Sequence, residues 1–224
     1  MAGEFGMVRD DIKFVNGDPT IAEMVPSLIF ALKSSLGTVL VDTSFGDAEH
    51  CAKILKLEVI RKPTYREILM SYLVEPEEVR AIILTHLDWD HADNLGFFPS
   101  SAIYCQKREM DSFIGHDDSY IANIKENCDR MLLIEGDQEI LPGIKVHLAG
   151  GHTEGLQMVL VNTSEGMALI PSDNIMTYKN IEENIRVGLC KDPIACEMAL
   201  DWARSVSKIV YPSHDYRTVG GKNE

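Results

Sequence analysis

Between positions 86 and 91 the chain reads His86-Leu87-Asp88-Trp89-Asp90-His91, four potential metal ligands within six residues. Imidazole and carboxylate are the usual donors to zinc, iron and manganese. A fold that accepts this segment must hold several like-charged groups together on a firmly supported loop. An extended loop turns alternate side chains to one side, so His86, Asp88 and Asp90 can converge. His91 then turns toward a neighbouring ion as the chain enters a helix. The arrangement suits two ions better than one. A solvated acidic turn with incidental histidines is the plainer alternative, yet the whole chain holds only seven histidines.

The rest of the chain shows how such a loop is supported. Short β-type runs occur at 27–33 and 38–42, with Leu36-Gly37 between them suited to a hairpin turn. Apolar residues at helical spacing mark 47–57 and 64–73. The continuous apolar run 81–85 reads as a buried strand. Further strands are expected at 102–105, 131–134, 144–148, 158–161, 167–170 and 208–211. Asp192-Pro193 is a helix start, with an acidic cap and proline at the first helical position. Ala195, Met198, Ala199, Trp202 and Val206 then define its apolar face. Many short strands with interspersed helices, and no strict βαβ alternation, predict two sheets with helices outside. His86, His152, Asp173 and His214 each fall just past the end of an expected strand, where sites are commonly built.

Composition narrows the function. The 224 residues carry 35 acidic and 21 basic side chains, a net charge of −14. Such a surface repels phosphate backbones and anionic membranes, so neither nucleic acid nor membrane is expected as a partner. No apolar run approaches the ~20 residues that span a bilayer. Five cysteines in no C-x-x-C pair point to a reduced, cytoplasmic setting. No long linker or repeat interrupts the chain, which reads as one domain over residues 7–224. A second methionine at Met7 suggests that residues 1–6 are an appendage ahead of it.

Thr85-His86-Leu87-Asp88-Trp89-Asp90-His91 resembles the T-H-x-H-x-D-H signature of the metallo-β-lactamase superfamily. Four more segments match that family's pattern: Val39-Leu40-Val41-Asp42-Thr43, Gly151-His152-Thr153-Glu154-Gly155, Pro171-Ser172-Asp173 and Pro212-Ser213-His214-Asp215. The steps between ligand positions are 61 residues (91 to 152), 21 (152 to 173) and 41 (173 to 214). The stretch from Asn94-Leu95-Gly96-Phe97-Phe98-Pro99 to Lys107-Arg108-Glu109 is similar to the N-acyl-homoserine lactonase branch. The resemblance implies an α/β fold, an αββα sandwich of two mixed sheets with helices on the outer faces. It also implies two divalent metal ions. One would be held by His86, Asp88 and His152, the other by Asp90, His91 and His214, with Asp173 bridging. A hydroxide between the ions would open a small cyclic ester, with Asp90 moving the proton. A small-molecule substrate and a homodimer are family-level expectations.

Two positions depart from the pattern. Asp88 stands where the signature has its second histidine. Its carboxylate lowers Lewis acidity and favours iron or manganese more than histidine would, although zinc is the first expectation. Flavodiiron proteins carry a glutamate there, which keeps a di-iron oxidoreductase open beside a glyoxalase II-like thioesterase and a ligand-binding member without turnover. Met176 stands where lactonases often place a carbonyl-polarising tyrosine; Tyr178, two residues on, is the candidate substitute. Met176, Arg186 and Trp89 are candidate substrate contacts, the first two within 175–190, where secondary-structure signals are weakest. Trp89 reads equally as packing beneath the loop. His50 and His116 read as surface residues and His147 as a structural histidine within a strand.

Overall fold

In the segment Gly37–Val41, Val39 and Val41 face one way and Leu40 the other, and both faces are buried. A strand covered on both sides belongs in the middle of a layered sandwich. A computed structural model describes residues 1, 3–35, 37–56, 58–61, 63–113 and 122–220. Leu36, Leu57 and His116 lie outside the described residues.

The chain begins with β1 (Gly3–Arg9), α1 (Asp10–Lys13), β2 (Ala22–Ser27), β3 (Phe30–Ser34) and β4 (Gly37–Val41). It continues through α2 (Ala48–Leu55), β5 (Val59–Ile60), α3 (Tyr65–Ser71), β6 (Val79–Ile83) and α4 (Trp89–Ala92). Next come β7 (Ala102–Gln106), α5 (Lys107–Phe113), α6 (Ala122–Asn127) and β8 (Met131–Ile134). The second half holds β9 (Gln138–Leu141), β10 (Ile144–Leu148), β11 (Gln157–Thr163), β12 (Gly166–Ile170), α7 (Tyr178–Glu182), α8 (Pro193–Val206) and β13 (Ile209–Val210).

Two five-stranded sheets result, ordered β3-β4-β6-β7-β8 and β13-β12-β11-β10-β9. Both are mixed. β3–β4 is antiparallel beside parallel β4–β6–β7–β8, and β12–β13 is parallel beside antiparallel neighbours. Val39, Val41, Ala81 and Ile83 of the first sheet meet Val146, Val159, Ala168 and Ile170 of the second. Leu40, Ile82 and Ile103 face outward onto Tyr65 and Leu69 of α3, Met110 of α5 and Ile124 of α6. Met158, Leu169 and Val210 face outward onto Ala199, Leu200 and Ala203 of α8. The order is helix, sheet, sheet, helix, the αββα sandwich expected. No helix among the described residues is long and apolar enough to cross a membrane.

Local chemistry sets the element ends. Asp192 caps α8 by accepting from the backbone of Ile194 and Ala195 at 3.0 Å, worth about 1 kcal/mol. Thr64 and Glu67 form a reciprocal capping box at the start of α3. The strand expected at 81–85 lies at Val79–Ile83. Its last residues leave the ladder because the Thr85 N–H donates to the Asp42 carboxylate at 2.8 Å. The run 27–33 splits into the end of β2 and most of β3.

Three expectations need correction. The buried face of α8 is Cys196, Ala199, Leu200 and Ala203, while Met198 is 68% exposed. Small side chains at 199 and 203 let the helix lie close on the sheet, which turns the larger Met198 outward. The weak-signal stretch 175–190 contains α7, started by a Thr177–Asn180 capping box. Residues 3–6, set apart as an appendage, form part of β1, which pairs with β2 and β5 in a third sheet.

Candidate metal centre

Each ligand-type residue leaves the sandwich at the end of a strand. The 86–91 segment follows β6, His152 follows β10, Asp173 follows β12 in a 3-10 turn (Ser172–Asn174), and His214 follows β13. Pairing directions within each sheet make these same-end loops. Asp42 and Ser172, at the ends of β4 and β12, take left-handed conformations (φ +61° and +53°). Non-glycine residues rarely adopt such conformations unless their surroundings enforce them, and both side chains here bond the histidine loops.

The seven side chains converge. Asp88 Oδ2 lies 3.5 Å from His86 Nε2 and 3.1 Å from His152 Nε2. Asp90 Oδ2 lies 3.6 Å from His91 Nε2 and 3.5 Å from His214 Nε2. Asp173 stands between the two groups. Its Oδ1 is 3.2 Å from His91 Nε2 and 3.1 Å from His214 Nε2, while its Oδ2 is 4.0 Å from His86 Nε2 and 3.7 Å from His152 Nε2. Three overlapping sets bring one donor atom per residue within 4.8 Å of one another: His86/Asp88/His152, Asp90/His91/His214 and His86/His91/Asp173.

The ring nitrogens away from the centre are all engaged. His91 Nδ1 is 2.8 Å from Asp42 Oδ2, His152 Nδ1 2.8 Å from the Leu189 carbonyl, and His214 Nδ1 2.9 Å from the Pro26 carbonyl. His86 Nδ1 meets the hydroxyls of Thr85 (3.1 Å) and Ser172 (3.3 Å). Anchoring one ring nitrogen fixes the tautomer and aims the other, as in metal sites generally. His86 Nε2 is buried without a hydrogen-bond partner among the described residues. A cation supplies the partner that nitrogen lacks, and the donor set of imidazole and carboxylate fits metal binding.

Charge leads to the same conclusion. Burial works against ionising Asp173, but the imidazoles of His214 and His91 outweigh it and hold the carboxyl well below its usual range. His86 and His152 do the same for Asp88. Burial disfavours a charged His91, yet Asp173, Asp90 and Asp42 raise it well above its ordinary value. His152 is pushed up to about 9, burial being outweighed by Asp88 and Asp173. Asp90 is raised, chiefly by burial. The cluster therefore favours added positive charge, whether protons or metal.

A cavity of about 170 Å³ opens over the cluster, with Asp88, Asp90, His152, Asp173 and His214 in its floor. Phe5, Val8, Val25, Trp89, Met176 and Leu189 wall it. Trp89 both packs and lines, its ring 5.1 Å from Phe5 and 5.8 Å from Phe45. Met176 lines the cavity. Tyr178 and Arg186 do not reach the cavity. The Tyr178 ring lies under the Arg217 guanidinium at 4.3 Å, because the cap that starts α7 turns it toward the C-terminal loop. Arg186 is held by the Val187 carbonyl, Cys190 and Glu197. His50 is exposed, and His147 is structural, stacked on Trp202 at 3.8 Å and bonded to Asp137.

Several supporting residues carry no ligand signal of their own in the sequence. Asp42 was read only as part of a strand-end match. Glu109, 3% exposed, accepts from Leu87 N, Thr153 Oγ1 and Gly155 N, tying the motif loop to the His152 loop. A lone acid inside a helix gives no local sign of this. Gly155 permits the contact, since a Cβ there would meet the Glu109 backbone nitrogen at 2.2 Å. Phe5, within residues 1–6, sets its ring edge-on to His214 with centroids 5.3 Å apart.

Known proteins share this fold. A "N-acyl homoserine lactonase" from Bacillus sp is 28% identical over 188 residues, covering 78% of this chain and 75% of that protein. An N-acyl homoserine lactone hydrolase with product N-hexanoyl-L-homoserine at its catalytic metal center superposes with a TM-score of 0.84 at 22% identity, covering 98% of this chain and 92% of that one. A probable metal-dependent hydrolase from Staphylococcus aureus superposes with a TM-score of 0.81 at 17% identity, covering 96% and 87%. The sequence profile of the metallo-beta-lactamase superfamily matches residues 23–214, and the chain belongs to that superfamily.

Proposed function

We propose that the chain is a dinuclear metal-dependent hydrolase that opens a small, neutral cyclic ester. The observation that carries this reading is the split of Asp173, one oxygen toward His91 and His214 and the other toward His86 and His152. A single carboxylate so placed would serve two ions. One would be held by His86, Asp88 and His152 and the other by Asp90, His91 and His214. Zinc is the first expectation, with iron or manganese favoured by the carboxylate of Asp88. When bound, such ions supply Lewis acidity toward a carbonyl and activation of water near neutral pH.

The chain's own residues do the rest. Phe5, Val8, Trp89 and Met176 exclude bulk water and grip an apolar substituent. At about 170 Å³ the cavity is smaller than the ~300–1,000 Å³ of most ligand pockets, which selects a compact substrate. Asp90 faces His91 and His214 through Oδ2, leaving Oδ1 to take a proton and return it to the leaving oxygen. With no tyrosine among the described residues of the cavity wall, carbonyl polarisation would fall to ions held by the seven ligand-type residues. The relatives named for N-acyl homoserine lactones point to that substrate class.

The test is hydrolysis of a panel of γ-lactones, N-acyl homoserine lactones of increasing chain length and thioesters, by protein loaded with zinc, manganese or iron. Short-chain lactones should turn over and thioesters should not. Turnover of thioesters alone would replace this reading with a thioesterase.

A further inference from the structure

Two cysteines flank the metal centre on the side of His152. Cys190 lies half-buried in the loop before α8, and Cys196 is fully buried in the first turns of that helix. Both pack into one small cluster with Met176 and Val187, where burial and the neighbouring Cys190 push the Cys196 thiol up. The Arg186 guanidinium reaches Cys190 Sγ at 3.5 Å. Cys196 Sγ faces Asn174 Oδ1 at 3.4 Å, and that same oxygen accepts the backbone N–H of His152 at 3.0 Å. The residue before Cys190, Leu189, supplies the carbonyl that holds His152 Nδ1 at 2.8 Å. One sulfur thus adjoins the support of the His152 ring and the other the support of its backbone.

We infer that Cys190 and Cys196 form a modification site, a dithiol that hydroperoxides oxidise to a disulfide and that thereby loosens His152. Cys190 is the half-exposed member, the one a peroxide in solvent can reach. Its sulfur attacks one oxygen of the peroxide, the O–O bond breaks, and Cys190 becomes a sulfenic acid as water or alcohol leaves. The Cys196 sulfur then attacks the Cys190 sulfur, and the S–O bond breaks with loss of water. Overall, two thiols and one hydrogen peroxide give one disulfide and two waters. A dithiol reductant reverses the change.

Bonding brings the two sulfurs to about 2.05 Å. Little else can yield. Cys196 sits in α8 with its amide bonded to Asp192, and a Cβ on Gly151 would already meet its sulfur at 2.8 Å. The movement therefore falls on the loop carrying Leu189 and Cys190. That loop is stitched to α1 by Gly188 N and Leu189 N, both donating to Ile12 O, so the cavity wall shifts with it. Loss of an outer hydrogen bond to a ligating histidine weakens metal affinity by roughly 10–100-fold.

The experiment treats metal-loaded protein with hydrogen peroxide and follows thiols by mass spectrometry, bound metal by a chromogenic chelator, and lactone hydrolysis. Exposed Cys128 is the internal reference. The expected result is loss of two hydrogens, a peptide joined through Cys190 and Cys196, at least tenfold weaker metal retention, and recovery on adding dithiothreitol with metal. Cys190→Ser should keep metal and activity under the same treatment. Stepwise oxidation of Cys190 to sulfinic acid with Cys196 still free, or a cross-link that leaves metal retention unchanged, overturns the proposal. The cross-link is read without any substrate; only the loss of activity rests on the function proposed above.

Discussion

Asp42 and His91 are 49 residues apart, yet Asp42 Oδ2 receives the His91 Nδ1 proton at 2.8 Å in a fully buried contact. The same carboxylate accepts the Thr85 backbone N–H and hydroxyl, each at 2.8 Å. One side chain at the end of β4 therefore fixes both where the motif loop leaves β6 and which nitrogen of His91 faces the centre. Asp42→Ala should weaken metal binding by about 10–100-fold while leaving the seven ligand-type residues in place. Competition with a chelator of known affinity measures it.

Asp88 tests the departure from the family signature. Asp88→Ala should remove about one metal equivalent and lower the hydrolysis rate by at least ~100-fold, more than loss of an outer support does. Asp88→His should keep both equivalents and shift preference toward zinc over manganese, because imidazole is the softer donor. Metal analysis after growth in mixed-metal medium gives both outcomes.

Glu109 carries a structural role. Glu109→Ala strands three donors, from Leu87, Thr153 and Gly155, in a buried position. The expected loss is about 3 kcal/mol of stability, read from urea denaturation of the metal-free chain.

The imidazoles give a pH dependence. In the metal-free chain His152 stands at about 9, against an unperturbed 6.5, because Asp88 and Asp173 outweigh its burial. His91 and His214 are raised as well, their burial outweighed by Asp173 and other carboxylates. A raised folded value means stability fully present below pH 6.5 and lost as pH rises through about 9. Metal-free protein should therefore denature more easily at pH 9 than at pH 6.5. Metal-loaded protein should lack this loss, since bound cations replace the protons. Thermal melts across that range check the sign.

Much of this was legible in the sequence because its signals are local. Apolar runs marked most strands of the two large sheets, Asp192-Pro193 marked the start of α8, and the resemblance to the metallo-β-lactamase signature marked the seven residues that converge. What stayed hidden depends on contacts between distant segments. β1 pairs across the chain with β2 and β5, and its short glycine-containing run carries little strand pattern. Tyr178 lies two residues from Met176 in sequence, but the start of α7 turns it away from the cavity. Arg186 offered a cation near the site, and its pairing with Glu197, eleven positions along and on α8, drew it elsewhere.

Metal stoichiometry measured together with turnover decides the central claim. Protein stripped by chelator and reloaded with zinc, manganese or iron should bind about two equivalents per chain, and opening of a short-chain lactone should rise with the second equivalent. Fewer than about one equivalent under every loading, or lactone opening that persists in fully stripped protein, would contradict it.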